Sequence, residues 1–120
     1  MQNSFKDSVS KQFALDDVTT SFTFVHGLGH VPYRVWGELV CLTADENMNT
    51  NPGDVLDITN AKINGIACGP ACYGDAQNAE IAFSTPFVGQ EGNIFFAPRG
   101  GVGSVTAASW SNFGLIIYAI

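Results

Sequence analysis

Val18-Thr19-Thr20-Ser21-Phe22-Thr23-Phe24-Val25-His26, followed at once by Gly27-Leu28-Gly29-His30-Val31-Pro32, decides between helix and sheet. Val18, Thr20, Phe22, Phe24 and His26 share one face of an extended chain, and Thr19, Ser21 and Thr23 share the other. That period of two belongs to a half-buried strand with its aromatics inward, not to a helix of 3.6 residues per turn. The glycines and Pro32 stop it, because glycine reaches unusual φ and proline cannot donate to a ladder.

The same period runs outward along the chain. Arg34–Thr43 is a second strand, with Val35, Leu39 and Cys41 on one face and Trp36, Val40 and Leu42 on the other. Two apolar faces place it centrally, or under sheet on one side and a subunit on the other. Thr43–Gly53 carries the Asn, Asp, Pro and Gly chemistry of a polar turn region. Short strands are expected at Asp54–Thr59, Glu80–Ser84, Asn93–Ala97, Ser104–Ala107 and Phe113–Ile120, with a weak one around Ile63–Cys68. Asn60–Asn78 is the least regular stretch. About six to eight short strands with turn signals between them predict one all-β domain, an antiparallel β-sandwich of jelly-roll-like character, over residues 18–120. Residues 1–17 read as a short N-terminal arm, extended or helical. In the helical case Phe5, Val9, Gln12 and Phe13 fall on one side.

Composition sets limits on partners. The chain has 120 residues, 46% of them apolar, enough for one packed core. Only 13% are charged, against roughly 25% in an ordinary soluble domain. A surface this poor in charge sheds water cheaply and favours assembly. Net charge is −6, with five cations scattered along the chain, which argues against nucleic acid as a partner. No apolar run approaches the ~20 residues of a membrane-spanning helix, and the N-terminus lacks a signal-peptide pattern, so no membrane insertion is expected. Three cysteines without a secretion signal predict reduced thiols, with pairing of Cys68 and Cys72 left open.

Candidate chemistry is sparse. His26-x3-His30 and Cys68-x3-Cys72 are residue types that bind zinc. The histidine pair straddles a glycine turn rather than lying on a helix, so neither metal nor cofactor is expected. Asp45, Glu46, Asn47, Asn49, Asn51 and Asp54 form an oxygen-rich loop that lacks the ordered calcium-loop pattern and reads as a solvated turn. Gly100-Gly101-Val102-Gly103-Ser104 lacks the Gly-Lys-Ser/Thr of a phosphate loop. With two histidines and no nucleophile elbow, no catalytic residues are assigned and an enzyme is not expected. Among the aromatics, Trp36, Trp110, Tyr33, Tyr73 and Tyr118 are of the kind that stack on sugar rings. Trp36 and Tyr118 lie inside strands and are assigned, with Leu115, Ile117 and Ile120, to core or oligomer packing. Tyr73 and Trp110 lie near loops and are the candidates for a surface or ligand contact. As an edge strand, Phe113–Ile120 would be an aggregation hazard on two apolar faces, which predicts that a symmetric partner covers one of them.

The ordered run Phe24-Val25-His26-Gly27-Leu28-Gly29-His30-Val31-Pro32, Leu39-Val40-Cys41-Leu42-Thr43-Ala44-Asp45, Gly53-Asp54-Val55-Leu56-Asp57-Ile58, Asp75-Ala76-Gln77-Asn78-Ala79-Glu80-Ile81 and a late Trp110 resembles a module at the C-termini of bacteriophage tail-fibre and other virion surface proteins. The resemblance covers about residues 18–120. It implies a non-enzymatic virion protein, a homotrimer assembled in the bacterial cytoplasm and displayed on the particle, and it makes His26 part of a structural turn. Cys68-Gly69-Pro70-Ala71-Cys72 is not part of the pattern. The family's module ends a long fibre. Here seventeen residues precede it, so the arm is expected to dock onto another virion protein or a neighbouring subunit. Two roles follow: a small tail-fibre or receptor-binding component touching host surface glycan, or a purely architectural capsid decoration or head-fibre protein.

Overall fold

In the computed structural model, which describes residues 7–59, 62–63, 66–67, 70–84, 95–96, 99–101, 106–107 and 110–120, the strands are β1 (Val9–Ala14), β2 (Ser21–Val25), β3 (Val35–Cys41), β4 (Val55–Asp57), β5 (Lys62–Ile63), β6 (Ile66–Ala67), β7 (Ala71–Gly74), β8 (Asn78–Ala82), β9 (Phe95–Phe96), β10 (Thr106–Ala107) and β11 (Phe113–Ala119). One sheet has the order β1-β11-β3-β4 and a second β2-β8-β7, and every pairing is antiparallel. β8 lies across β3 and β11, so the two sheets form a β-sandwich. The two-residue strands make a further ladder, β10-β9-β5-β6. No helix among the described residues is long and apolar enough to cross a membrane.

Alternation puts the core between the sheets. From the first sheet come Leu39, Cys41, Phe113, Leu115, Ile117 and Ala119; from the second come Phe22, Ala79 and Ile81; Leu15, Met48, Ile58, Phe83 and Phe96 close it. The tightest approach is at Gly37. A Cβ there would overlap Cδ1 of Ile81 and sit 3.1 Å from Cδ1 of Ile58, so the absence of a side chain lets the second sheet settle onto β3.

Three expectations change. Phe22 and His26 are buried as the alternation required, but Val18 is 74% exposed. It precedes the strand, in a turn where Oδ1 of Asp16 accepts the N–H groups of Val18 and Thr19 at 2.9 and 2.7 Å. The closing strand is not an edge: β11 is paired with β1 on one side and β3 on the other. Within the segment expected as an arm, Val9–Ala14 is β1, and Leu15 enters the core, so the sandwich begins before residue 18.

Candidate functional site

On the two central strands of the first sheet the side chains that point away from the core are mostly apolar, while the flanking strands put Ser10, Gln12 and Asp57 on that face. Register places Tyr118 beside Trp36, Ile116 beside Glu38, and Val40 beside both Gly114 and Val55. Trp36, Val40, Ile116 and Tyr118 are half-buried, whereas Val55 and Leu42 are exposed. The Trp36 and Tyr118 rings stack at 5.2 Å and 9°, and the Arg34 guanidinium lies 4.7 Å over Trp36. The Tyr118 hydroxyl donates to Oε1 of Glu38 at 2.5 Å. Leu115 and Ile117 are core, while Ile120 is half-buried and exchanges backbone hydrogen bonds with Arg34.

Burial, then the hydrogen bond to Glu38 and its charge, push the Tyr118 phenol up to about 12. The folded chain therefore holds this proton where the unfolded chain has released it. That stabilisation is complete below the ordinary phenol value near 10 and is lost as pH rises through about 12. Spectrophotometric titration is expected to show one tyrosine ionising last, and Glu38→Gln is expected to bring it down. A wild-type chain in which all tyrosines ionise together near pH 10 would contradict the assignment.

At one end of the sandwich the His26 turn is locked to the Asp75 turn. Gly27 and Gly29 have φ of 65° and 81°, which side-chain-bearing residues rarely adopt. The His26 N–H donates to the Gln77 carbonyl at 3.0 Å, Nε2–H donates to the Asp75 carbonyl at 2.8 Å, and Nδ1 accepts the Leu28 N–H at 3.0 Å. Both ring nitrogens are thus committed, leaving no lone pair for a metal. His30 lies outside this lock, exposed and stacked on Tyr33 at 4.8 Å. Cys72 is a free thiol. Although the residue as a whole is exposed, burial of its sulfur raises its pKa, away from the thiolate that ligation needs. Cys68 lies outside the described residues. Of the residue types His26, His30, Cys68 and Cys72 that could bind zinc, His26 is therefore a turn lock.

The opposite end is built likewise. The Leu42 and Thr43 N–H groups donate to the Asn112 carbonyl, and Cys41 and Gly53–Asp54 exchange backbone hydrogen bonds. Buried Asp45 accepts the Met48 N–H through Oδ1 at 3.0 Å and the Asn112 side-chain amide through Oδ2 at 3.1 Å. Asp54 accepts the Asn51 N–H and an Arg99 Nη1–H, both at 2.8 Å. The oxygen-rich loop thus spends these carboxylates on its own backbone and on Asn112 and Arg99. Among the described residues, no three His, Cys, Asp or Glu side chains gather as a metal site. Neither a family model, nor a curated protein, nor a solved structure matches this chain.

The outward face of the second sheet carries Thr23, Asn78 and Glu80 with exposed Val25 and Tyr73, and holds the more specific feature. Tyr73 is 57% exposed on the edge strand β7, and the register sets it directly opposite Glu80 on β8. Tyr73, Gly74, Asp75, Asn78 and Glu80 line a hollow of 290 Å³. Ser21 donates to Oε2 of Glu80 at 2.5 Å. Oδ1 of Asp75 accepts the Asn78 and Gln77 N–H groups at 2.6 and 2.8 Å, and these bonds hold its carboxyl below the usual range. Tyr73 is thus where an outside molecule can touch it. The side chain of Trp110 lies outside the described residues. Glu80 was not singled out in the sequence as a neighbour of Tyr73, because only the β7–β8 pairing sets the two opposite each other.

Proposed function

We propose that this chain is a non-enzymatic structural module of a bacteriophage particle surface. In this reading it is assembled in the bacterial cytoplasm as a homotrimer and displayed as a small tail-fibre or receptor-binding component that contacts host surface glycan. The observation that carries it is the outer face of the first sheet. Its two central strands present Trp36, Val40, Ile116 and Tyr118 half-buried, with Val55 exposed beside them. Apolar surface of that kind in a chain with 13% charged residues suits coverage by copies of itself. The motif series adds support, since its His26, Asp75, Cys41, Asp45 and Gly53 hold turns at the two ends of the sandwich.

Light scattering on the purified chain at micromolar concentration is expected to return three times the chain mass; a monomer would overturn the assembly. Antibody labelling of particles is expected at the tail. Labelling on the head would instead favour the architectural role of a capsid decoration or head-fibre protein.

A further inference from the structure

We propose that the hollow beside Tyr73 is a single-ring sugar subsite that accepts neutral or amino sugars and rejects acidic ones. It rests on the reading of the module as a host-contacting protein and gives that contact a location and a chemical class. The exposed Tyr73 ring supplies an apolar platform. The negative face of an aromatic ring attracts the C–H faces of a pyranose, a contact that polar side chains cannot make. Glu80 stands directly across the ladder from it, and Asp75 and Asn78 complete the wall.

An ionised carboxylate only accepts hydrogen bonds, and sugar hydroxyls donate them, so ring and wall are complementary to the two sides of one sugar. Both carboxylates are pre-oriented, Glu80 by Ser21 and Asp75 by the backbone of its own turn. The ligand therefore does not have to order them. The volume of 290 Å³ suits one ring rather than a chain of them.

Charge sets the specificity. Among the described residues the lining has two carboxylates and no Lys or Arg, in a chain of net charge −6. A uronic or sialic acid would bring a third carboxylate against these two, whereas a protonated amino group would be drawn to them. One shallow subsite of this kind binds weakly, near the millimolar range. Copies displayed together on one particle convert such binding into firm attachment.

The test is a nuclear magnetic resonance titration of the full chain with glucose, galactose, glucosamine and glucuronic acid. Saturable shifts are expected at the amides of residues 73–80 with at least one of the first three, and at least about tenfold weaker binding of glucuronic acid. Tyr73→Ala is expected to lose about tenfold in affinity, Tyr73→Phe to keep most of it, and both to melt with the wild type, since Tyr73 is largely outside the core. No shift with any sugar, equal binding of glucuronic acid, or unchanged binding by Tyr73→Ala would each overturn the subsite. A parallel measurement of the assembled protein on the bacterium that propagates the particles separates the two levels. Cell binding that survives Tyr73→Ala overturns the subsite and leaves host contact standing, whereas no cell binding by the wild type overturns host contact itself.

Discussion

Deleting residues 1–15 is expected to unfold the domain, not merely to detach it from a partner. β1 pairs with β11 from Val9↔Ala119 to Ala14↔Gly114, so the deletion strips one whole side of the closing strand. It also removes Leu15 from the core and Phe13 from its contacts with Phe22 and Phe24, at ring separations of 5.7 and 6.4 Å. Burial of each such side chain contributes about 1.5–3 kcal/mol, and each ladder hydrogen bond a further ~0.5–1.5 kcal/mol. The sum is comparable to the whole stability of a small domain, about 5–15 kcal/mol. What remains would expose an apolar edge at Leu115 and Ile117, a template for aggregation. Soluble yield and the thermal melt by circular dichroism check this. A truncated chain that stays soluble and melts with the full chain would show that β1 is dispensable. Docking through residues 1–17 is therefore better probed at Ser10 or Gln12, whose side chains are exposed on β1.

The difficulty of reading that segment has a simple geometric source. Val9 and Phe13 are four residues apart, a spacing that places two side chains on one side of a helix and equally on one face of a strand. Lys11, between them on the same strand face, spoils the alternation, yet an edge strand tolerates it: Lys11 stays exposed with its ammonium 5.5 Å from the Phe13 ring. The central strands were legible for the opposite reason. β3 and β11 are long and paired on both sides, and from Gly37 to Cys41 and from Leu115 to Ala119 buried and half-buried residues alternate one by one. β7 has four exposed residues and no apolar pattern, so it left no signal in the sequence. With β7 went the pairing that places Glu80 against Tyr73. His26 shows the same limit: the carbonyl that fixes its ring belongs to Asp75, 49 positions along the chain, and no local pattern announces it.

Leu39→Ala is the second substitution with a large expected effect, and its neighbour on the ladder supplies the control. Leu39 is fully buried at the centre of β3, between Leu115 on β11 and Leu56 on β4. Truncating it removes apolar contacts and leaves a cavity that two paired strands cannot close, for a loss of about 2–5 kcal/mol. A fall of roughly 10–20 °C in melting temperature is expected. One rung away, Val40 pairs with Val55 on the opposite face of the same sheet, and Val55 is 58% exposed. Val55→Ala is expected to move the stability of the isolated fold by no more than about 0.5 kcal/mol. The two faces therefore separate folding from assembly. If copies of the chain cover the outer face, Val55→Asp is expected to shift the light-scattering mass toward one chain while the spectroscopic signature of the fold is kept. Leu39→Ala instead lowers the melting temperature of the fold itself. A Val55→Asp chain that keeps the wild-type mass would remove this part of the outer face from the interface, and a Leu39→Ala chain that melts with the wild type would contradict the core drawn between the two sheets.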